Sequence, residues 1–146
     1  MSRENGQRNN SDTEENITQM AMTMKKTALI TGATSGIGEA CARKFAAGGY
    51  NLIITGRRAD RLEEIKTALE AMGAEVVTLA FDVRDAEAAT KAIASLGEGW
   101  QEIDVLINNA GLALGLDKEY EGDPTDWNTM IDTNIKGLLT MTRLVV

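Results

Sequence analysis

The run Thr31-Gly32-Ala33-Thr34-Ser35-Gly36-Ile37-Gly38 constrains this chain more than any other stretch. It follows an apolar segment, Thr27 to Thr31, that reads as a β-strand, and it leads into a segment with helical periodicity. In that setting glycines permit a tight turn and close approach of a ligand to the backbone. The helix start adds free N–H groups and the positive end of its dipole. A pyrophosphate suits such a turn, which makes Gly32, Ala33, Thr34, Ser35, Gly36, Ile37 and Gly38 candidate binding residues. An ordinary strand-to-helix loop is the plainer reading, but the coincidence of strand, glycines and helix favours the phosphate loop.

The rest of the pattern supports the fold that such a loop needs. Short apolar runs alternate with helical periodicities from Lys25 onward, the signature of an α/β fold with a doubly wound parallel sheet of Rossmann type. After the turn comes a helix whose Ile37, Cys41 and Phe45 are expected to share one inward face, with Cys41 as packing. Strands follow at Tyr50 to Thr55, Glu75 to Phe81 and Ile103 to Asn108, the last apolar throughout and expected to be buried. Between them, helices are expected over Arg58 to Met72, with Leu62, Ile65, Leu69 and Met72 inward, and over Asp85 to Leu96, with Ala89, Ile93 and Leu96 inward. A last helix starts at Asp123-Pro124, a favoured N-cap and N1 pair, and is expected to turn Ile131, Ile135, Leu138 and Leu139 to one face.

Composition removes whole classes of chemistry. The 146 residues contain no His and a single cysteine, Cys41, so disulfide frameworks, Cys/His zinc sites, Ser-His-Asp triads and Cys-His dyads are excluded, and no metal site is expected. Lys and Arg number 15 against 22 Asp and Glu, and the net charge of −7 argues against a nucleic-acid partner, which would require basic surface. No apolar run approaches the roughly 20 residues that span a bilayer, so no membrane role is expected and the cytoplasm is the expected location.

Further candidates lie at strand ends. Arg57 and Arg58 close the second strand about 20 residues after the glycine turn, where a dinucleotide fold inspects the adenosine ribose. An acidic residue there accepts from a 2′-hydroxyl, whereas arginine pairs with a 2′-phosphate, so the pair favours NADP over NAD. A solvated helix start is the plainer reading, although cations oppose the dipole at that end. Asp82 and Val83 follow the third strand, near the expected adenine position, and Asp85 is the natural cap of the next helix. Asn108-Asn109-Ala110-Gly111 closes the fourth strand, either as a simple turn or as amides and small residues that admit a ligand. Asn134 lies in the apolar last helix, where an amide is more often structural than catalytic.

In order and spacing, Thr31 to Gly38, Arg57-Arg58, Asp82-Val83, Asn108 to Gly111 and Asn134 resemble the short-chain dehydrogenase/reductase family over about Lys25 to Val146. Within it, NNAGLALG (Asn108 to Gly115) and MIDTNIKG (Met130 to Gly137) are most similar to bacterial NADP-dependent 3-hydroxy acid dehydrogenases that oxidise serine and allo-threonine. The resemblance implies that the glycine turn holds pyrophosphate, Arg57 meets the 2′-phosphate, and Asp82 and Val83 contact adenine. It places Asn109, followed by Ala110 and Gly111, beside the adenine-side ribose and makes Asn134 one of four catalytic residues, which helps to hold a proton-relay water. It also implies a small hydroxy-acid or carbonyl substrate and a homo-dimeric or homo-tetrameric parent.

The other three residues of that catalytic set are a Ser and a Tyr-x-x-x-Lys pair, and here the sequence departs from the family. The tyrosines are Tyr50 and Tyr120, and the residues four further on are Ile54 and Pro124. The final helix runs into Leu144-Val145-Val146 without a cap, so a chain cut short is expected. It would carry an NADP-binding part at 24–146, inactive alone, with its fourth strand at an unpaired edge where the family places a fifth strand. The alternative is a non-catalytic NADP-binding or interaction module. A methyltransferase of similar architecture fits less well, since it needs neither the NNAG element nor the arginine pair. Residues 1–23 are polar and are expected to be a disordered tail, with Met24 as a natural start.

Overall fold

The computed structural model describes residues 10–146. After a leading helix α1 (Asn10–Met24), the chain alternates β1 (Thr27–Ile30), α2 (Gly36–Ala47), β2 (Asn51–Gly56), α3 (Ala59–Glu70), β3 (Val76–Ala80), α4 (Ala86–Ala94) and β4 (Val105–Ile107). A short 3-10 turn (Glu119–Glu121) precedes α5 (Pro124–Ile131), a π-helical segment (Asp132–Gly137) and α6 (Leu138–Val145). The four strands form one parallel sheet in the order β3-β2-β1-β4, with Leu29 opposite both Ile53 and Leu106.

Strand alternation sends successive side chains to opposite faces, and both faces are covered. Ala28, Ile30, Leu52 and Ile54 pack with Leu62, Ile65 and Leu69 of α3 on one side. Leu29 and Ile53 pack with Ala89 of α4 and Met141 of α6 on the other. β1 and β2 are buried along their whole length, as doubly covered parallel strands must be. β4 is only half-buried, because it forms one edge of the sheet. Continuous apolarity predicted burial there, and a missing neighbour on one side accounts for the difference.

Caps fall where the side-chain chemistry puts them. Asp85 Oδ1 accepts from the Ala88 amide at 2.9 Å, and Asp123 Oδ1 accepts from the Thr125 amide at 2.8 Å with Pro124 in the first turn.

Several expectations are corrected. Residues 10–23 belong to a helix rather than to a disordered tail, while 1–9 lie outside the described residues. Weak hydrophobicity argues against a packed core, but it does not forbid a local helix; Ile17 and Met20 are exposed, so this helix forms without burying them. On α2 the inward face is Gly38, Ala42 and Ala46, with Cys41 and Phe45 at its margin and Ile37 76% exposed. Close seating of this helix on the sheet selects its smallest residues. In the last helical stretch the buried positions are Thr133, Gly137 and Met141, whereas Ile131, Ile135, Leu138 and Leu139 are exposed. Those four do share one face, as expected, but it is the outward one, and the buried set keeps the same four-residue spacing. Met72, expected inward on α3, lies beyond that helix and is exposed.

Candidate functional site

A cleft of about 360 Å³ opens at the C-terminal ends of the strands, where open α/β sheets carry their ligands. Gly32, Thr34, Ser35 and Ile37 of the glycine turn form one wall. Arg57 and Arg58 stand beyond β2, Asp82 and Val83 beyond β3, and Asn109, Ala110 and Gly111 beyond β4. Sequence reasoning missed Thr55, Gly56, Phe81, Arg84, Leu112 and Thr133 in the lining. Five of these adjoin predicted residues in sequence, and Thr55 lies two positions before Arg57. Thr133 carried no signal of its own.

The remaining positions of the turn do not line the cleft. Ala33 is fully buried, and its amide donates to the Thr55 carbonyl at 3.0 Å, tying the turn to β2. Gly36 has a positive φ of 56° with open space where a Cβ would point. Gly38 is pressed against the Gly32 carbonyl and the Asn109 side-chain nitrogen, leaving no room for a Cβ.

That contact explains why the glycine turn and the Asn-Asn-Ala-Gly run occur together. Asn109 Nδ2 donates to the carbonyls of Thr31 and Gly32 at 3.2 and 3.0 Å. Thr31 Oγ1 in turn accepts from the amides of Asn109 and Ala110 at 3.0 and 2.9 Å. A Cβ on Gly32, whose φ is 64°, would lie 2.8 Å from Ala110 Cα. The Asn109 amide is therefore spent on bracing the turn. Its neighbour Asn108 points elsewhere, donating to Thr142 Oγ1 of α6 at 3.0 Å.

Asn134 does not line the cleft. Its Oδ1 accepts from the Leu112 amide at 2.9 Å and its Nδ2 donates to the Leu112 carbonyl at 2.8 Å, so the π-helical segment grips the loop after β4. Both ends of the amide are satisfied, in the manner expected of a structural group.

The electrostatics of the cleft are cationic on the β2 side. Arg43, Arg61 and Arg84 each pair with a carboxylate, while none of the salt bridges among the described residues involves Arg57 or Arg58. Arg58 reaches only the Thr34 carbonyl, at 3.4 Å, which Arg61 Nε also approaches at 3.2 Å. Asp82 is held below the usual carboxylate range chiefly by hydrogen bonds from the Arg84 side chain, with Arg57 adding to the effect. Ser35, the N-cap of α2, makes no side-chain cap, so the first amides of that helix stay uncapped by a side chain. Thr55 Oγ1 is the one buried side-chain polar atom without a partner among the described residues. Amides that no side chain caps, arginines outside the salt bridges of the described residues and a glycine-rich turn together fit a polyanionic nucleotide.

Comparison with known proteins places these features in a family. The family model described as short chain dehydrogenase matches residues 26–146. The chain is 50% identical over 118 residues to NADP-dependent 3-hydroxy acid dehydrogenase YdfG of Salmonella typhi, covering 81% of this chain and 46% of that protein. It is 50% identical over 119 residues to serine 3-dehydrogenase of Rhizobium radiobacter, covering 82% and 47%. Its fold superposes on the closed form of serine dehydrogenase complexed with NADP+ with a TM-score of 0.75 at 47% identity, covering 82% of this chain and 47% of the other. The chain thus spans about half the length of the relatives it matches. No helix among the described residues is long and apolar enough to cross a membrane.

Proposed function

The chain belongs to the short chain dehydrogenase family, and on that footing we propose that it is the NADP-binding part of a cytoplasmic oxidoreductase acting on a 3-hydroxy acid of the serine or allo-threonine kind. When bound, NADP supplies a hydride acceptor at the nicotinamide ring. The chain's own residues bind and orient it. The turn from Gly32 to Gly38 offers backbone amides at the start of α2 for the pyrophosphate, with the Ser35 hydroxyl free of its own helix. Arg57 and Arg58 take the 2′-phosphate, and Asp82 and Val83 take the adenine. Asn109 keeps the turn in shape through the Thr31 and Gly32 carbonyls. Asn134 holds the backbone of Leu112, which lines the cleft.

One observation carries this reading: two adjacent arginines that form no salt bridge among the described residues share a cleft with a helix start that no side chain caps. Titration of the chain with NADPH, followed by nicotinamide fluorescence, tests it. Saturable binding tighter than that of NADH supports the assignment, and absence of saturable binding overturns it.

A second reading is a module that binds NADP without turning it over. It draws on the absence of any Tyr-x-x-x-Lys within these 146 residues, where Tyr50 and Tyr120 precede Ile54 and Pro124 by four positions. Formation of NADPH from NADP and L-serine or allo-threonine by this chain would exclude it. The exposed apolar positions Ile131, Ile135, Leu138 and Leu139 are compatible with the dimeric or tetrameric parent expected above.

A further inference from the structure

We propose that Met130 is a modification site that governs the cleft: its thioether sulfur latches the loop after β4, and oxidation of that sulfur to the sulfoxide by hydrogen peroxide releases the loop. The inference goes beyond the NADP reading and rests on it only for the effect on dinucleotide binding.

The loop from Gly111 to Gly115 is held by α5 and the π-helical segment. Asp126 Oδ2 lies 3.6 Å from where a Cβ on Gly115 would stand, and Met130 Sδ accepts from the Leu114 amide at 3.3 Å. Asn134 takes both the amide and the carbonyl of Leu112. Asp126, Met130 and Asn134 follow one another at intervals of four, so one helical face meets the loop at successive places. The clasps differ in strength. Asn134 makes a pair of amide hydrogen bonds, whereas a thioether is a weak acceptor. The Leu114 end is therefore where the loop lets go. Gly111 and Leu112 belong to the wall of the cleft, and a change at Leu114 reaches a ligand through them.

Met130 is half-buried, unlike Met141, which is sealed in the core. A sulfur lone pair of Met130 attacks one peroxide oxygen, and the O–O bond breaks as the S–O bond forms. The second oxygen leaves with the electron pair and takes up the proton of the first as water. Sulfur is oxidised and the peroxide is reduced. The product is polar and chiral where the thioether was flexible and apolar. One lone pair is spent on the new bond, the other is held more tightly by an electron-poor sulfur, and the new oxygen is an acceptor for which water competes. The Leu114 amide thus loses its partner and turns to solvent. Methionine sulfoxide reductases restore the thioether, which makes the change reversible.

The test treats the full chain with hydrogen peroxide and follows the Met130 sulfoxide fraction by peptide mass. Hydrogen exchange of the Leu114 amide is read without ligand, and NADPH affinity is read by fluorescence. Exchange at Leu114 is expected to accelerate as the sulfoxide accumulates, and NADPH affinity to fall about fivefold or more, the lower end of coupling between sites. Methionine sulfoxide reductase returns both. Met130→Leu keeps the volume and removes the acceptor, so its Leu114 amide exchanges fast from the start and neither readout responds to peroxide. Met20 and Met72 are exposed and oxidise in the same reaction, but neither lines the cleft, so their sulfoxides leave binding in Met130→Leu unchanged. An equal loss of affinity in wild type and Met130→Leu overturns the inference, because the damage then lies at another methionine. So does a Leu114 amide that exchanges at one rate before and after oxidation of Met130, or a Met130 that stays reduced while Met20 and Met72 are oxidised. Unchanged NADPH affinity in the oxidised chain overturns it as well and leaves the NADP reading standing. A wild-type chain that binds no NADPH before oxidation overturns the NADP reading, and the exchange measurement then judges the latch by itself.

Discussion

Asn109 Nδ2 lies 3.0 Å from the carbonyl oxygen of Gly32, joining the end of β4 to the first glycine of the turn after β1. The same nitrogen serves the Thr31 carbonyl at 3.2 Å, so one amide satisfies two acceptors that the turn cannot satisfy internally. Asn109→Asp is isosteric but sets a carboxylate against both carbonyls. It is expected to destabilise the chain by about 1–3 kcal/mol, the cost of unsatisfied partly buried groups. Urea unfolding measures this, and NADPH affinity should fall with it. An unchanged midpoint would show that the brace is dispensable.

The glycines of the turn are not equivalent. Gly36 has open space around a prospective Cβ, so Gly36→Ala meets only the backbone cost of a positive φ, about 1–2 kcal/mol. Gly38→Ala instead drives a methyl into the Gly32 carbonyl and the Asn109 amide, neither of which has room to move. NADPH binding is expected to be lost in Gly38→Ala and weakened in Gly36→Ala, with both chains still folded by circular dichroism. Equal binding in the two variants would contradict the packing of the turn against Asn109.

Arg57 is expected to set the cofactor preference. Arg57→Asp replaces a cation near the proposed 2′-phosphate by an anion, and a hydrogen bond to a charged group contributes about 1.5–3 kcal/mol. NADPH affinity should fall at least tenfold while NADH affinity is kept or improved, because a carboxylate can accept from a free 2′-hydroxyl. Parallel titrations read the ratio, and equal losses for both dinucleotides would remove Arg57 from the site.

Acid should weaken the fold through two carboxylates. Glu39 is held below its ordinary value, chiefly by its hydrogen bond from Arg43 with Arg61 adding to it, and Asp82 is lowered by Arg84. A group whose folded value is depressed contributes stability that is complete above its unfolded value, about 4, and is lost as pH falls through the folded value. The unfolding midpoint should therefore decline below about pH 4, and less steeply in Glu39→Gln, which has no charge to lose. A parallel decline in wild type and variant would show that the Glu39 ion pairs do not matter to stability.

How far the sequence speaks depends on what each residue does. The glycine turn, the Arg57-Arg58 pair and the Asn109 to Gly111 run were legible because each must sit at a strand end with a fixed chemistry, and the structure brings residues of all three to one cleft. The caps Asp85 and Asp123 were legible because capping is local. The inward face of α2 was not, since apolarity pointed to Ile37 while close helix packing selected Gly38, Ala42 and Ala46. Asn134 was visible as an amide in an apolar helix, but its partner Leu112 could not be found without knowing how the loop after β4 returns. Arg84 escaped notice because its pairing with Asp82 depends on how the turn after β3 folds back on itself.

The phase of the last helix gives the sharpest contrast between pattern and packing. The apolar residues Ile131, Ile135, Leu138 and Leu139 share one face as the pattern has it, but that face is exposed, Ile135 by 54%, while Gly137 is buried with Val83 Cγ2 lying 2.8 Å from where a Cβ would stand. Ile135→Ala should therefore change stability by no more than about 0.5 kcal/mol, as surface substitutions do. Gly137→Ala improves helix propensity by about 1 kcal/mol but forces a methyl against Val83, whose β-branched side chain has little freedom to retreat. Overpacking of that kind costs about 1–3 kcal/mol, so the variant should be destabilised despite its better propensity. Because Val83 lines the cleft, NADPH affinity should fall in Gly137→Ala and not in Ile135→Ala. The reverse ranking in urea unfolding would place Ile135 on the packed face and Gly137 outside it.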